Sequence, residues 1–334
     1  MTELDQIDID CRLKACLRKL RLTTLKSILY LTGPVGGLSP SDVETVKLAA
    51  AKIVNKEQPV SAKQIFENEK LHHLKLTTGC AVLDQALRGG ILCSGITEIS
   101  GESASGKTQF ALQLSLTSQL TKQYGGLDSG ALYICTEDAF PSKRLYQMIK
   151  NFTASHGNKL CNQGNLGDKI FIEHVADFEG LMSCLSNKAP ILLNSGAVKM
   201  IIVDSVAAHF RSDYESNEMY KRAQHICAMG SLLCKYSHKH QIPVVCINQV
   251  TSSMSPDSRQ LIPSLGLAWS NHVTNRIMLA RTQRSLTIQQ DSAHGPLETV
   301  VREMEVVFAP HLPTITVPFV IDHEGMKGFA QNIL

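Results

Sequence analysis

The sequence lacks any long apolar run. Its longest, Met200-Ile-Ile-Val203 and Val317-Pro-Phe-Val-Ile321, span four and five residues, far below the roughly 20 that cross a bilayer as a helix. The start, Met1-Thr-Glu-Leu-Asp-Gln-Ile-Asp8, is acidic and has no apolar stretch of signal-peptide type, so neither a secreted nor a membrane protein is expected. Ten cysteines contain no Cys-x-x-Cys pair, and His72-His73 and His238-Lys-His240 have no partner ligands at zinc spacing. Cys135 and Cys246 sit inside apolar, strand-like runs and read as reduced core thiols. There is no internal repeat and no low-complexity tract. Charge of one sign is also scarce: 33 basic against 30 acidic residues leave +3, too little to imply a polyanionic partner. What is present, 43% hydrophobic and 19% charged residues over 334 positions, excludes a disordered chain or a coiled coil. It predicts about two domains with a substantial core.

Residues 1–55 read as a small helical domain. Leu13, Leu17 and Leu20 recur at helical spacing behind Asp10, a candidate N-cap, and Leu25, Ile28 and Leu29 follow Thr23-Thr24. Ser39-Pro40-Ser41-Asp42-Val43 has a capping serine, a proline at a tolerated first position and an acid near the helix dipole. Leu38 and Val43 are placed for a hydrophobic staple. Arg12, Lys14, Arg18, Lys19 and Arg21 make the first helix basic, which fits either a solvated face or a helix-hairpin-helix-like DNA module. A protein-docking or packing role fits the unit equally well. Residues 56–75 are polar and read as a linker. From 76 to 334 short apolar strands alternate with helical segments, the pattern of an α/β domain. Ser155–Lys169, Thr251–Leu265 and Gln283–Pro296 are its least structured stretches.

The strongest signal is Gly101-Glu102-Ser103-Ala104-Ser105-Gly106-Lys107-Thr108, a full match to G-x-x-x-x-G-K-[ST]. Ile96-Thr-Glu-Ile99 enters it as a strand, and Gln109-Phe-Ala-Leu leaves it as a helix. Glycines let backbone N–H groups turn toward phosphate oxygens, and the helix N-terminus adds a favourable dipole. Lys107 is placed for the β- and γ-phosphates of ATP and Thr108 for Mg²⁺. Three later apolar runs end on polar residues: Ala131–Cys135 at Thr136-Glu137-Asp138, Lys199–Val203 at Asp204-Ser205, and Ile242–Ile247 at Asn248-Gln249. Carboxyl ends of parallel strands face the ligand crevice, so these residues should gather round a nucleotide. Asp204 reads as the second magnesium element or as a helix N-cap. Glu137 reads as the carboxylate that activates water or as a surface acid. Gln249 reads as a γ-phosphate sensor or a structural amide.

Thr77-Thr-Gly-Cys-Ala-Val-Leu-Asp-Gln-Ala-Leu-Arg-Gly-Gly90, Leu132-Tyr-Ile-Cys-Thr-Glu137, Val203-Asp-Ser-Val-Ala-Ala208 and Ile247-Asn-Gln-Val250, with the phosphate loop, resemble the RecA-type recombinase family and its paralogues over about residues 75–330. The resemblance implies a RecA-like core, a mostly parallel twisted sheet flanked by helices, behind a small all-α domain. It implies ATP and Mg²⁺ held at Gly101–Gln109 and Asp204, with Glu137, Lys107 and Gln249 catalytic and Arg144 stacked on adenine. It further implies homologous-recombination repair in the nucleus, with cytoplasm or mitochondria as further locations. The implied partners are a second recombinase paralogue, the strand-exchange recombinase and single-stranded or branched DNA. Two DNA-facing loops correspond to His209–Arg222 and Thr251–Leu265, with Arg211, Lys221, Arg222 and Arg259 as the DNA contacts.

The chain departs from that family at three places. The polymerisation motif Phe-x-x-Ala is absent from the linker, where Val60 and Lys63 take its key positions, so a defined heteromeric contact is expected over self-polymerisation. Trp269-Ser-Asn271-His272-Val273 stands where the family places a histidine before the next strand, and Phe308-Ala-Pro-His-Leu-Pro313 where it carries an acidic residue near the ATP cap, changes that weaken coupled turnover at that face. Each DNA loop balances its charges, three basic against three acidic in 209–222 and one against one in 251–265. Weak single-strand binding by the isolated chain follows. Three activities remain open: a regulatory ATP-binding paralogue, a DNA-stimulated ATPase that remodels recombinase filaments, and a P-loop small-molecule kinase. For the last, Arg144 is the only lid-type arginine in evidence.

Overall fold

The computed structural model describes residues 3–54, 61–67, 74–137, 139–160, 164–212, 214, 216–252, 261–288 and 297–329. The chain divides into units Met1–His72 and His73–Leu334.

Side-chain caps set the helix starts of the first unit. Asp10 accepts from the Arg12 N–H at 3.3 Å ahead of α1 (Cys11–Lys19), and Thr24 accepts from Ser27 N–H at 3.2 Å ahead of α2 (Leu25–Leu29). Before α3 (Pro40–Val54) the bonds are reciprocal, Asp42 N–H to Ser39 Oγ at 3.1 Å and Ser39 N–H to the Asp42 carboxylate at 3.0 Å. Those Ser39 bonds, with Arg12 beside them, hold the Asp42 carboxyl below its ordinary range. Leu13, Leu17, Ile28, Leu38, Val43 and Val46 close the core, so the staple residues are both buried. Arg12 and Arg18 on the basic helix pair with Asp42 at 2.7 Å and Asp5 at 2.6 Å. A fourth helix, α4 (Ala62–Glu67), lies in the stretch read as linker. Ser61 and Gln64 form a second reciprocal cap there, a signal that polar composition conceals.

The second unit begins with β1 (Lys75–Leu76), α5 (Ala81–Ala86) and β2 (Ile91–Leu92), β1 and β2 pairing antiparallel. Next come β3 (Ile96–Gly101), α6 (Lys107–Thr117), β4 (Gly130–Cys135), α7 (Ser142–His156) and β5 (Ile170–His174). Then α8 (Phe178–Ser183) runs through a π turn into α9 (Ala189–Asn194), followed by β6 (Val198–Asp204), α10 (Ala208–Ser212), α11 (Met219–His240) and β7 (Val244–Asn248). The hairpin strands β8 (Val250–Ser252) and β9 (Leu261–Pro263) precede α12 (Gly266–Ser270). Last are β10 (Val273–Ile288), β11 (Leu297–Phe308), β12 (Thr316–Ile321) and β13 (Met326–Gly328).

Nine of these strands form one sheet in the order β13-β12-β11-β10-β3-β7-β6-β4-β5. From β10 to β5 all neighbours run parallel, and β11 to β13 extend the sheet antiparallel. Both faces are covered, which is why β3, β4 and β7 are buried at every residue and why β4 and β7 read as nearly continuous apolar runs. One face packs Phe110, Leu114, Met148 and Phe319, and the other packs Phe178, Phe210, Leu233 and Trp269.

Two expectations need correction. Residues 283–288 are not loop but the end of β10, where Ser285, Leu286, Thr287 and Ile288 register against Val300, Thr299, Glu298 and Leu297. Non-local pairing holds them, together with the Ser285–Glu298 hydrogen bond at 2.9 Å and the Arg284–Glu303 ion pair at 3.0 Å. The segment 209–222 is also largely helical, shared between α10, a 3₁₀ turn at Ser216–Glu218 and the first turn of α11.

Candidate nucleotide site

The phosphate loop follows β3 because its backbone takes conformations that glycine permits. Gly101 (φ +152°) has no room for a side chain, since a Cβ would meet the Leu279 carbonyl oxygen at 2.2 Å, and Gly106 (φ +109°) holds a left-handed backbone that a side chain would strain. Lys107 opens α6 and folds back over the loop, its Nζ donating to the carbonyls of Gly101 at 2.8 Å and Glu102 at 2.7 Å. Burial pulls its ammonium below the ordinary lysine range, against the opposing pull of Asp204, Glu137 and Glu102. Ser105 is fully buried beneath the loop, and its hydroxyl has no hydrogen-bond partner among the described residues.

Three strand ends converge on this loop. The β4–β6 register sets Cys135 beside Asp204, and the β6–β7 register sets Asp204 beside Ile247. Thr108 donates its hydroxyl to Asp204 Oδ2 at 2.9 Å, and Tyr133 donates to the same oxygen at 2.7 Å. Burial raises the Asp204 carboxyl above its ordinary value, those two bonds draw it back, and the charge of Glu137 raises it further. Glu137 Oε1 accepts from Gln249 Nε2 at 2.7 Å and from Ser205 Oγ at 2.8 Å. Ser205 is fixed in turn by Thr136, whose hydroxyl donates to the Ser205 carbonyl and accepts from its N–H, both at 2.7 Å.

These groups line a cleft of about 730 Å³ that takes in the loop, Thr108, Gln109, Glu137, Asp204 and Gln249. Glycines in positive-φ conformations along the loop and a cleft-lining lysine that rests on neutral carbonyls, with no acid among the described residues bonded to it, fit a polyphosphate. The Thr108–Asp204 pair fits an oxygen-ligated Mg²⁺. Arg144 is not among the cleft's lining residues. Its guanidinium donates to Gln109 at 2.6 Å, to Gln147 at 2.5 Å and to the carbonyls of Asp322 and His323 at 2.6 and 3.3 Å, tying α7 to the β12–β13 turn.

The DNA-contact candidates lie elsewhere. Lys221 is exposed and pairs with Glu218 at 3.4 Å. Arg222 is half-buried, donates to the Phe210 carbonyl at 2.9 Å and stands 6.0 Å from the centre of that ring. Arg211 lies in α10, and Arg259 lies outside the described residues. Sequence reasoning missed Tyr133, Ser205, Arg302 and Glu98. Arg302 reaches the cleft from β11 and donates to the Ala104 carbonyl at 3.4 Å. Glu98, wholly buried on β3, accepts from Asn248 at 2.6 Å, Trp269 at 2.8 Å and Arg276 at 2.5 Å. Only Ser205, adjacent to Asp204, carried a positional hint.

A parallel sheet with a phosphate loop after β3 and acids at the ends of β4 and β6 defines a RecA-like P-loop fold. The Rad51 family profile matches residues 69–328, and the chain belongs to that family. It is 38% identical to the "DNA repair protein XRCC3" of Mus musculus and 37% identical to that of Bos taurus, each over 98% of both chains. It is also 34% identical to the "DNA repair protein XRCC3 homolog" of Arabidopsis thaliana, over 75% of this chain and 92% of the relative.

Proposed function

We propose that this chain is an ATP-binding recombinase paralogue of homologous-recombination DNA repair, working in the nucleus as one subunit of a heteromeric complex with a second paralogue. In that complex it meets single-stranded or branched DNA and supports the strand-exchange recombinase. The carrying observation is the single cleft that joins Lys107, Thr108, Asp204, Glu137 and Gln249, in a chain so similar along its whole length to DNA repair proteins. Lys107 would hold the β- and γ-phosphates, and Thr108 with Asp204 would hold Mg²⁺, which supplies charge neutralisation between the phosphates. Arg144 braces the wall behind Gln109, the adenine side in the family reading.

A second reading, a DNA-stimulated ATPase that remodels recombinase filaments, is favoured by Glu137. Gln249 and Ser205 aim its carboxylate into the cleft, where it would orient an attacking water. ATP binding and turnover of the purified chain, alone and with a paralogue partner, with and without single-stranded DNA, separate the two. Turnover that DNA stimulates and that Lys107→Ala abolishes supports the remodelling ATPase. Lys107-dependent binding without turnover supports nucleotide as an assembly element, and absence of binding contradicts both.

A further inference from the structure

Arg302 is a cation without a described acid. Neighbouring arginines of the same ribbon are neutralised, Arg276 by Glu98 and Arg284 by Glu303. Arg302 forms no ion pair among the described residues, and its guanidinium donates only to the carbonyls of Val300 at 2.9 Å and Ala104 at 3.4 Å. Directly across the antiparallel ladder stands Arg281. Like charges at opposed positions repel one another, and a half-buried charge without a counter-charge is costly. Burial, with the field of Arg281 added, holds the Arg302 guanidinium below its ordinary range. The fold keeps two cations together here with no acid paired to Arg302 among the described residues, and Arg302 lines the nucleotide cleft.

Sheet order decides which end of the cleft this is. Glu137, Asp204 and Gln249 come from β4, β6 and β7, all on one side of β3, whereas β11 lies on the other, beyond β10. On that flank the cleft is closed by Ile321, an apolar side chain. A Cβ on Gly106 would lie 3.8 Å from Arg302 Cδ, so the side chain rests against the phosphate loop itself.

We propose that Arg302 is a nucleotide ligand on the sugar side of the loop, taking the α- or β-phosphate of the bound nucleotide, with Arg281 behind it strengthening the positive field. The inference rests on the ATP reading above and names a group that the phosphate-loop motif does not contain. Because it addresses phosphates common to both nucleotides, it strengthens ATP and ADP binding alike.

The test is calorimetric titration of the full chain with Mg-ATP and with Mg-ADP, for wild type, Arg302→Gln, Arg302→Lys and Lys107→Ala. Arg302→Gln is expected to weaken both nucleotides by about tenfold, with the ATP-to-ADP ratio unchanged. Arg302→Lys recovers part of the loss, and the melting temperature without nucleotide does not fall, because the repelling pair has been relieved. Arg302→Gln affinities within twofold of wild type, or a loss confined to ATP, overturn the proposal. A loss that Lys does not rescue and that accompanies a lower melting temperature assigns Arg302 a merely structural role and overturns it equally. Wild-type chain that binds neither nucleotide overturns the ATP reading itself, and this inference with it.

Discussion

Lys107 and Asp204 are displaced in opposite directions by one cause, loss of water. The lysine holds its proton less tightly than usual and the aspartate more tightly. For Asp204, a folded value above the unfolded one means that its contribution to stability is full below the unfolded value and is lost as pH rises through the folded one. At neutral pH a buried carboxylate therefore strains the nucleotide-free protein. Asp204→Asn should raise the melting temperature without nucleotide at pH 7, and the gain should shrink as pH is lowered. The same substitution should remove the Mg²⁺-dependent part of ATP affinity, so thermal shifts with and without Mg-ATP should move in opposite directions. Lys107→Ala loses a charged donor to phosphate and should weaken ATP by about 1.5–3 kcal/mol by calorimetry.

Glu98 does its work between elements. Its carboxylate on β3 receives Asn248 from β7, Trp269 from α12 and Arg276 from β10, and Asn248 receives Ser264 at 2.8 Å. It thereby fixes the far end of the hairpin segment that begins beside Gln249. Glu98→Ala would leave Arg276 half-buried without a counter-charge, and breaking a buried pair in this way costs about 3–5 kcal/mol. Urea unfolding followed by the emission of Trp269, the single tryptophan, measures this directly. A loss under about 1 kcal/mol would show that the network is dispensable. The phosphate loop makes a sharper demand: Gly101→Ala drives a Cβ into the Leu279 carbonyl of the adjoining strand. That variant should lose ATP binding through displacement of the loop, even where its circular dichroism stays native.

At the scale of the whole molecule, the near-balanced charge limits what the chain can do alone. The two stretches assigned to DNA carry no net charge, and Lys221 already faces Glu218. Fluorescence anisotropy with a single-stranded oligonucleotide should show weak binding by the isolated chain that falls by at most about fifty-fold between 50 and 200 mM salt, the loss expected of about four phosphate contacts on a single strand. It should improve beside a partner subunit. Tight, salt-resistant binding by the chain alone would contradict this.

The parts of the site that were legible in the sequence are local ones. A phosphate loop is a contiguous backbone conformation, so its glycines, Lys107 and Thr108 announce it within eight residues. Strand ends are announced by apolar runs that stop at Glu137, Asp204 and Gln249, and helix starts by Asp10, Thr24 and Ser39. Cap, turn and period are short-range physics, and the sequence by itself determined them. What the tertiary structure alone decided is which distant groups meet. The β4–β6 register brings the Tyr133 hydroxyl to Asp204 across 71 positions, and the β11 ladder lays Arg302 against Ala104 across 198. The β3–β10 pairing makes Glu98, which the sequence shows only as one residue of the strand entering the loop, the centre of a buried network, and β10 outruns its loop-like composition because β11 pairs with it. Register and sheet order are sums over many weak pairings along the whole chain, and no window of local sequence contains that sum.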